Sequence, residues 1–230
     1  MKYFINYASN GFTKSQEEGL RCAELFGFKS KGYTNLNIDD SFYQKNEEIL
    51  MVERGAGYWL WKPYIILDML NNIQDGDYLV YMDSGARFIG DPDSYLQSID
   101  DSGILAFSMI QRSSKWTKGD CFHEINSLDK NQFADKNQLQ GTYIFFKRCE
   151  NSIYFVKEWL SYCETNLITD SQNEKMENFP DFVDHRHDQA IFSLLAYNRN
   201  IPNIPQIDQY CVEHGYGSER KIIDRHGVRS

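Results

Sequence analysis

Acidic residues that directly follow an apolar run are the first candidates for chemistry in this sequence. Asp83-Ser84-Gly85 comes immediately after Tyr78–Met82, whose apolar residues predict a buried strand. In open α/β sheets, ligands bind beyond the carboxyl ends of the strands, so the Asp83 carboxylate would lie at a ligand site. Such a carboxylate suits Mg²⁺ or Mn²⁺, which take oxygen ligands from proteins and from substrate phosphates. A solvated turn is the alternative interpretation of the same residues.

Two other acidic pairs are less well placed for chemistry. Asp75-Gly76-Asp77 precedes the same strand, and a tight turn is sufficient to explain it. Asp91-Pro92-Asp93 is a literal Asp-x-Asp sequence, but it comes several residues after the strand, where a turn or a helix cap is favoured. Asp83 is therefore the main acidic candidate.

The densest polar cluster is Asp184-His185-Arg186-His187-Asp188-Gln189, directly before a helical pattern that includes Ile191 and Leu195. The positive end of a helix can hold an anionic group or a substrate hydroxyl. N-capping by Asp184 or Asp188 beside solvated histidines is the plainer interpretation. His185 and His187 could also bind zinc, although the sequence offers no third ligand at a recognisable spacing.

Two further segments combine basic residues with aromatic residues or glycine. Lys62 lies among two tryptophans and two tyrosines in residues 57–64, where a lysine can serve a phosphate or a sugar hydroxyl. Residues 211–226 combine His214, glycines, Arg220, Lys221 and His226, which suits a loop that closes on phosphates. A frayed C-terminus is the plainer interpretation of this second segment.

Composition limits the classes of protein to consider. The chain has 230 residues, 41% of them hydrophobic, which is enough for the core of one domain spanning residues 1–230. With 24 basic and 33 acidic residues, the net charge of −9 argues against binding to nucleic acid or anionic membranes. No stretch approaches the roughly 20 apolar residues of an integral membrane segment. The five cysteines form no Cys-x-x-Cys pair, and the first residues lack the apolar region of a signal peptide, so we expect a cytoplasmic location.

The elements that must position these residues alternate between strands and helices. Apolar runs predict strands at residues 3–7, 78–82, 104–109 and 143–146. Helices are expected from a capping box at 15–18, over 40–52, from Pro63, and after Asp188. Strands without polar alternation need cover on both faces, so we predict an α/β fold with a mixed, mostly parallel sheet flanked by helices. Residues 111–140 are predicted to be a long polar loop, with room for a short helix, that contacts an acceptor.

In chain order, these segments resemble the GT-A-type glycosyltransferases, which are nucleotide-sugar enzymes with one Rossmann-like α/β domain. Tyr78–Met82 with Asp83-Ser84-Gly85 is similar to the strand that delivers the family's Asp-x-Asp motif. Asp188-Gln189 is similar to the Asp-Gln pair of the retaining galactosyltransferase and glycogenin-like families. His214-x-x-Gly217-x-x-Arg220 is similar to their His-x-x-Gly-x-x-Lys segment. Residues 140–146 resemble the small-residue strand that lines the donor sugar.

The resemblance implies a set of site residues. It implies donor contacts from Tyr7, Ala8, Asn10, Lys62, Asp83, Ser84, Gly85, Gly141, Arg220 and Lys221. It implies Mn²⁺ or Mg²⁺ bound by Asp83 together with His214 or His226, and catalytic contacts of Asp188 and Gln189 near the reacting carbon. The sequence departs from the family at Gly85, where the second aspartate of the motif is missing, and at Arg220, which replaces a lysine.

The leading hypothesis is transfer of a hexose-type sugar from a nucleotide diphosphate-sugar, with a UDP-sugar expected, to a hydroxyl of a glycan or glycoconjugate acceptor. A role in polysaccharide biosynthesis would follow. A non-catalytic nucleotide-sugar-binding module is one alternative, suggested by Gly85. A metal-dependent phosphohydrolase that uses His185, His187 and Asp188 is another. The sequence lacks the phosphate-loop, GxGxxG, GxSxG and HExxH motifs, so the enzyme classes that depend on them are disfavoured.

Overall fold

A computed structural model describes residues 1–9, 11–126, 129–208 and 222–225. Its strands are β1 (Lys2–Tyr7), β2 (Lys29–Tyr33), β3 (Tyr78–Met82), β4 (Arg87–Phe88), β5 (Ile104–Arg112), β6 (Asn137–Leu139), β7 (Tyr143–Lys147), β8 (Asn203–Pro205) and β9 (Ile223–Asp224). Its helices are α1 (Thr13–Leu25), α2 (Asp40–Lys45), α3 (Glu47–Leu50), α4 (Gly55–Tyr58), α5 (Trp61–Asn72), α6 (Asp93–Gln97), α7 (Ser113–Trp116), α8 (Gly119–Ile125), α9 (Glu150–Cys163) and α10 (His187–Asn198). Two short 3₁₀ helices span Asn35–Asn37 and Asn166–Ile168.

Seven of the described strands form one sheet in the order β2-β1-β3-β7-β5-β6, with β8 also paired to β5. β2, β1 and β3 are mutually parallel, β7 is antiparallel to both β3 and β5, β6 is antiparallel to β5, and β8 is parallel to β5. Five of these seven strands therefore run in one direction. The predicted mixed, mostly parallel sheet is confirmed. β4 and β9 form a separate antiparallel pair next to the end of β3.

Helices cover the sheet on both faces, as the unbroken apolar strands require. On one face, Ile5, Tyr81 and Ile144 pack in a cluster with α5, α9 and α10. On the other face, Phe4, Val80 and Phe145 pack with residues of α1, β4 and α6. Successive residues of one strand point to opposite faces, so each strand contributes to both clusters. Each such buried side chain contributes about 1.5–3 kcal/mol of transfer free energy.

The boundaries of three predicted helices differ from the prediction. α1 begins at Thr13, before the predicted capping box, because Ser15 and Gln16 are buried and the Gln16 amide donates to the Tyr33 carbonyl at 2.8 Å. The predicted helix over 40–52 is two short helices separated at Asn46, whose backbone has a φ of −115° and whose side-chain amide donates to Phe42 O and to Glu164. α5 begins at Trp61, which leaves Pro63 in the first turn, where its missing N–H costs nothing.

The prediction of a long loop over residues 111–140 was wrong. The segment contains the end of β5, the helices α7 and α8, and the strand β6. Its polar residues obtain partners from a distant part of the chain. The Asp120 carboxylate accepts backbone N–H bonds from Glu174, Lys175 and Met176 at 2.9–3.0 Å. Sequence periodicity does not record such long-range bonds.

In the part of the chain that the structure describes, none of the helices has both the length and the apolar character that crossing a bilayer demands.

Candidate active site

A groove runs across the carboxyl ends of β1 and β3 and consists of adjoining cavities. The first, of about 350 Å³, is lined by Tyr7, Ala8 and Thr34 among others. The second, of about 720 Å³, shares Tyr7 and Trp61 with the first and is also lined by Asp83, Ser84 and Gly85. The third, of about 210 Å³, shares Trp59 and Asp83 with the second and is lined by residues 184–189. The predicted acidic and polar clusters thus face one continuous groove.

Lys62 lies at the centre of this site, within the first turn of α5. Its side chain is 3% exposed, and its Nζ lies 3.0 Å from Asp188 Oδ2 and 3.5 Å from Asp83 Oδ1. Nζ also donates to the Gly141 carbonyl at 3.0 Å. The sequence predicted Lys62 only as a contact for a phosphate or a sugar. In the structure, Lys62 is a buried cation that contacts both predicted acidic residues and the segment between β6 and β7.

The charges of this cluster shift one another's pKa values. Burial raises the pKa of Asp188 to about 6, although the Lys62 ammonium opposes this shift. Burial alone would lower the pKa of Lys62, but Asp188 and Asp83 outweigh it, and the pKa is raised. At neutral pH, Lys62 is therefore a cation, and Asp188 is mainly ionised. Together with Asp83, the cluster carries two carboxylates for one described ammonium.

The two carboxylate oxygens of Asp83 differ: Oδ1 contacts neighbouring side chains, and Oδ2 has no described hydrogen-bond donor. The Tyr81 hydroxyl donates to Oδ1, which also faces Lys62, and the Asp83 backbone N–H donates to Thr142 O at 2.7 Å. Its side chain is 35% exposed to the groove, and none of the described residues donates to Oδ2. This geometry fixes the carboxylate at the end of β3 and leaves Oδ2 for a ligand.

The neighbours of Asp83 tie two strand ends together. The buried Ser84 hydroxyl donates to Tyr7 O at the end of β1. The Tyr7 ring stacks on Trp61, with ring centroids 3.9 Å apart. Gly85 has a φ outside the left-handed region, and no described atom lies within 4 Å of where its Cβ would be. The structure thus brings together Tyr7, Asp83, Ser84 and Gly85, four of the residues for which the family resemblance implies donor contacts.

Gln189 lies in the first turn of α10 and packs on Gly141. Gly141 N–H donates to Gln189 Oε1 at 3.2 Å, and Gln189 Nε2 donates to Gln138 Oε1 at 3.2 Å. A Cβ at residue 141 would lie 3.1 Å from Gln189 Cβ, so a larger residue would push the two segments apart. The Gln189 amide therefore holds the wall of the third cavity in place.

The histidines of the polar cluster are buried, so their interpretation as solvated side chains was wrong. His185 Nε2 bonds to Leu167 O at 2.8 Å, and His187 Nδ1 bonds to Ile168 O at 2.7 Å. Burial lowers the pKa of both imidazoles, which are neutral at pH 7. The described residues include no group of three His, Cys, Asp or Glu side chains that could hold a metal ion. Both imidazoles are therefore used in hydrogen bonds to the backbone, and the described residues give no support to the zinc site considered from the sequence.

Sequence reasoning missed a left-handed backbone turn beside the site. Gly55, Ala56, Gly57, Tyr58 and Trp59 have φ values of 62°, 50°, 96°, 52° and 61°. Left-handed backbone costs a non-glycine residue about 1–2 kcal/mol, and such strain concentrates at functional sites. The turn places the Tyr58 and Trp59 rings against the His187 ring, at 4.7 and 5.5 Å between centroids. The Gly-Ala-Gly sequence was the signal for this conformation.

Several predicted site residues lie outside the described residues. These are Asn10, His214, Arg220, Lys221 and His226. Of the ligands that the family resemblance implies for Mn²⁺ or Mg²⁺, the described residues therefore include one, the Asp83 carboxylate. Such cations are often held by one or two carboxylates together with substrate phosphates. Asp83 Oδ2 fits a cation of this kind, with phosphate oxygens as its other ligands.

Comparisons with known proteins show the fold. No protein-family model matches the chain, and no curated protein matches it. A solved glycosyltransferase involved in glycosylation of the major capsid of PBCV-1 is similar over 97% of this chain and 92% of its own, with a TM-score of 0.51 and 11% identity. The bifunctional glycosyltransferase WbbM is similar over 89% of this chain, with a TM-score of 0.50 and 11% identity. GlyE from Streptococcus pneumoniae TIGR4 is similar over 100% of this chain, with a TM-score of 0.50 and 10% identity.

The chain spans 38% of WbbM and 55% of GlyE, so it corresponds to part of these two proteins. At 10–11% identity, the likeness is one of fold. The predicted GT-A-type α/β architecture is thereby confirmed.

Proposed function

We propose that this chain is a single glycosyltransferase domain that moves a sugar from a nucleotide diphosphate-sugar, of the UDP-sugar class, to a hydroxyl group of a glycan or glycoconjugate. The observation that carries the proposal is the contact of Lys62 with both Asp83 and Asp188 in the groove at the carboxyl end of β3. The shared fold of solved glycosyltransferases supports it.

The nucleoside belongs in the first cavity under this proposal. The Tyr7 ring, stacked on Trp61, offers an apolar wall, and Thr34 and Asn35 offer polar groups at the end of β2. An aromatic wall with few polar groups is typical of sites for flat ligands. Ala8 lines the same cavity and allows close approach of a base.

The diphosphate belongs in the second cavity, next to Asp83 and Gly85. A divalent cation bound there would stabilise the charge of the leaving diphosphate as a Lewis acid. Asp83 Oδ2 would hold the cation or a ribose hydroxyl. Arg220 and Lys221 would add positive charge from beyond the described residues.

The donor sugar belongs in the third cavity, where Lys62, Asp188 and Gln189 meet. Asp188 would accept a hydrogen bond from a sugar or acceptor hydroxyl near the reacting carbon. Its pKa of about 6 suits a general base near neutral pH, should the reaction invert the configuration. Gln189 would hold the cavity wall through Gly141, and Lys62 would keep Asp188 ionised and fixed in direction.

Thermal shift measurements with nucleotide sugars test donor binding, because a ligand that binds only the native state raises the melting temperature. The set would include UDP- and GDP-sugars, each with and without Mn²⁺. We expect a rise with at least one UDP-sugar, larger with Mn²⁺, and loss of the metal-dependent part in Asp83→Ala. Absence of any rise with folded protein contradicts the proposal.

The alternative of a binding module without turnover rests on Gly85, which removes one carboxylate from the motif. A binding module and an enzyme would both bind the donor, but only an enzyme would release the nucleotide in the presence of acceptor. The phosphohydrolase alternative loses its basis, because His185 and His187 bond to backbone carbonyls in the interior.

A further inference from the structure

Arg186 directly precedes α10, and its guanidinium forms no close ion pair with a carboxylate of the described residues. Its guanidinium lies over the Trp116 indole, with Cζ 4.2 Å from the ring centroid, and one of its nitrogens lies 3.6 Å from Met109 Sδ. Of its two acidic sequence neighbours, Asp184 is paired with Arg54 at 2.6 Å, and Asp188 is paired with Lys62 at 3.0 Å. No carboxylate of the described residues forms an ion pair with Arg186.

A second arginine adds like charge nearby. Burial, together with the charge of Arg225, lowers the pKa of Arg186, although the Asp184 carboxylate opposes this shift. Arg225 itself has an acidic neighbour, since its Nη1 lies 3.8 Å from the buried Asp208. A half-buried guanidinium with a like charge close by is stabilised by any anion that reaches it. The guanidinium also stacks on Trp116, which fixes its plane and lets it present two N–H groups to two oxygens of a carboxylate or phosphate.

The position of Arg186 in the groove indicates which part of a bound ligand would contact its guanidinium. Arg186 and Trp116 line the third cavity, which shares Trp59 and Asp83 with the diphosphate cavity and shares no lining residue with the first cavity. The Gln189 amide nitrogen lies 3.4 Å from the same Met109 sulfur that Arg186 contacts, so the two side chains are neighbours. Under the proposed function, a ligand group at Arg186 therefore belongs to the donor sugar or to the acceptor, and not to the nucleoside.

We propose that Arg186 binds the carboxylate or phosphate of an anionic sugar in the third cavity. This inference rests on the proposed function and names the class of sugar that the site takes. A guanidinium donates two parallel N–H groups to a pair of carboxylate or phosphate oxygens, and a neutral sugar has no charged oxygens to accept them. The anion belongs either to the acceptor or to the donor sugar, and both sources place the same oxyanion on Arg186.

The test is isothermal titration at low ionic strength with two pairs of probes. The acceptor pair is methyl β-D-glucuronide and methyl β-D-glucoside, each with UDP present. The donor pair is UDP-glucuronic acid and UDP-glucose, with UDP alone as reference. The proteins are wild type, Arg186→Gln, and the control Arg199→Gln, which removes an arginine at the other end of α10 that is paired with Glu158 at 2.6 Å.

We expect at least tenfold tighter binding of the charged member of one pair in wild type and in Arg199→Gln. The pair that shows this difference identifies the acceptor or the donor as the acidic sugar. Arg186→Gln should bind the charged and the neutral member equally. Thermal unfolding of both variants would confirm that they are folded.

Three results would overturn the inference. The first is equal binding, or no binding, of the charged and neutral members in both pairs. The second is a charge preference that survives in Arg186→Gln. The third is a loss of UDP affinity in Arg186→Gln equal to the loss for the UDP-sugars, which would place the diphosphate at this residue. If UDP-sugars bind without charge preference, only this inference fails. If no UDP-sugar binds, the proposed function fails. The difference in affinity between the two methyl glycosides still tests whether Arg186 binds an anionic sugar.

Discussion

Asp188 and Lys62 form a 3.0 Å ion pair in which both side chains are at most 4% exposed. The two residues are far apart in sequence and meet because α5 and α10 both begin at the carboxyl edge of the sheet. Breaking a buried pair by removing one partner costs more than removing both, because the remaining charge is left unpaired. The pair therefore links the stability of the site to its chemistry.

Lys62→Met should lower the free energy of unfolding by about 3–5 kcal/mol, since it leaves Asp188 buried without its cation. The double variant Lys62→Met/Asp188→Asn should recover part of this loss, because the buried charge is also removed. Urea denaturation of the single variants Lys62→Met and Asp188→Asn and of the double variant measures these losses. A double variant whose loss equals the sum of the two single losses would contradict the coupling.

The pH dependence of turnover should show an acidic limb with an apparent pKa of about 6. Burial raises the pKa of Asp188 above its ordinary value of 3.8, so the residue is protonated below about pH 6 and ionised above it. We expect kcat/KM to rise with pH up to this point and then to level off. Between about pH 4 and 6, the folded state binds the extra proton, so the contribution of Asp188 to stability falls as pH rises. The limb should be missing from the pH profile of Asp188→Asn, and its persistence there would assign it to another group.

Gly85→Asp should strengthen metal binding in the groove. The position accepts a side chain without strain, since no described atom lies within 4 Å of the added Cβ and φ is not left-handed. A second carboxylate next to Asp83 supplies another oxygen ligand for Mn²⁺. We expect at least a tenfold lower Kd for Mn²⁺ by titration, with Gly85→Asn as the uncharged control of the same size. Equal Mn²⁺ affinity in the two variants would show that residue 85 does not face the cation.

Ala56→Gly should stabilise the protein by about 1 kcal/mol, because Ala56 has a φ of 50° and glycine adopts this conformation without a steric penalty. Gly57→Ala should destabilise it, since the added Cβ would lie 2.7 Å from Leu50 Cα. Ala190→Gly, in the interior of α10, is the matched control and should cost about 1 kcal/mol. Thermal unfolding of the three variants measures these differences. A stabilising Gly57→Ala would show that the turn is right-handed in solution.

The central strands of the fold could be predicted from the sequence because they are buried on both faces. The range Tyr78–Met82 was predicted as observed, and the strand at Tyr143–Lys147 was predicted to within one residue. β2 was missed because Lys29, Ser30 and Lys31 are polar residues on an edge strand, where no apolar pattern is required. For the segment that contains α7 and α8, the prediction allowed no more than one short helix, because polar side chains such as Asp120 bond to residues distant in sequence.

The site could be predicted in part, because its residues follow strand ends or precede helices. Asp83 and Asp188 were identified in this way, and Lys62 was recognised as unusual among aromatic residues. Their contact could not be predicted, since nothing local to either segment records that α5 and α10 meet over Gly141. Burial of His185 and His187 was also hidden, because their partners are the carbonyls of Leu167 and Ile168.

The most direct measurement of the central claim is nucleotide release from a bound donor in the presence of acceptor, compared between wild type and Asp188→Asn. We predict acceptor-dependent release by wild type, and a rate at least about a hundredfold lower in Asp188→Asn at unchanged donor occupancy. Equal rates in the two proteins, or donor binding without any release by wild type, would contradict the account.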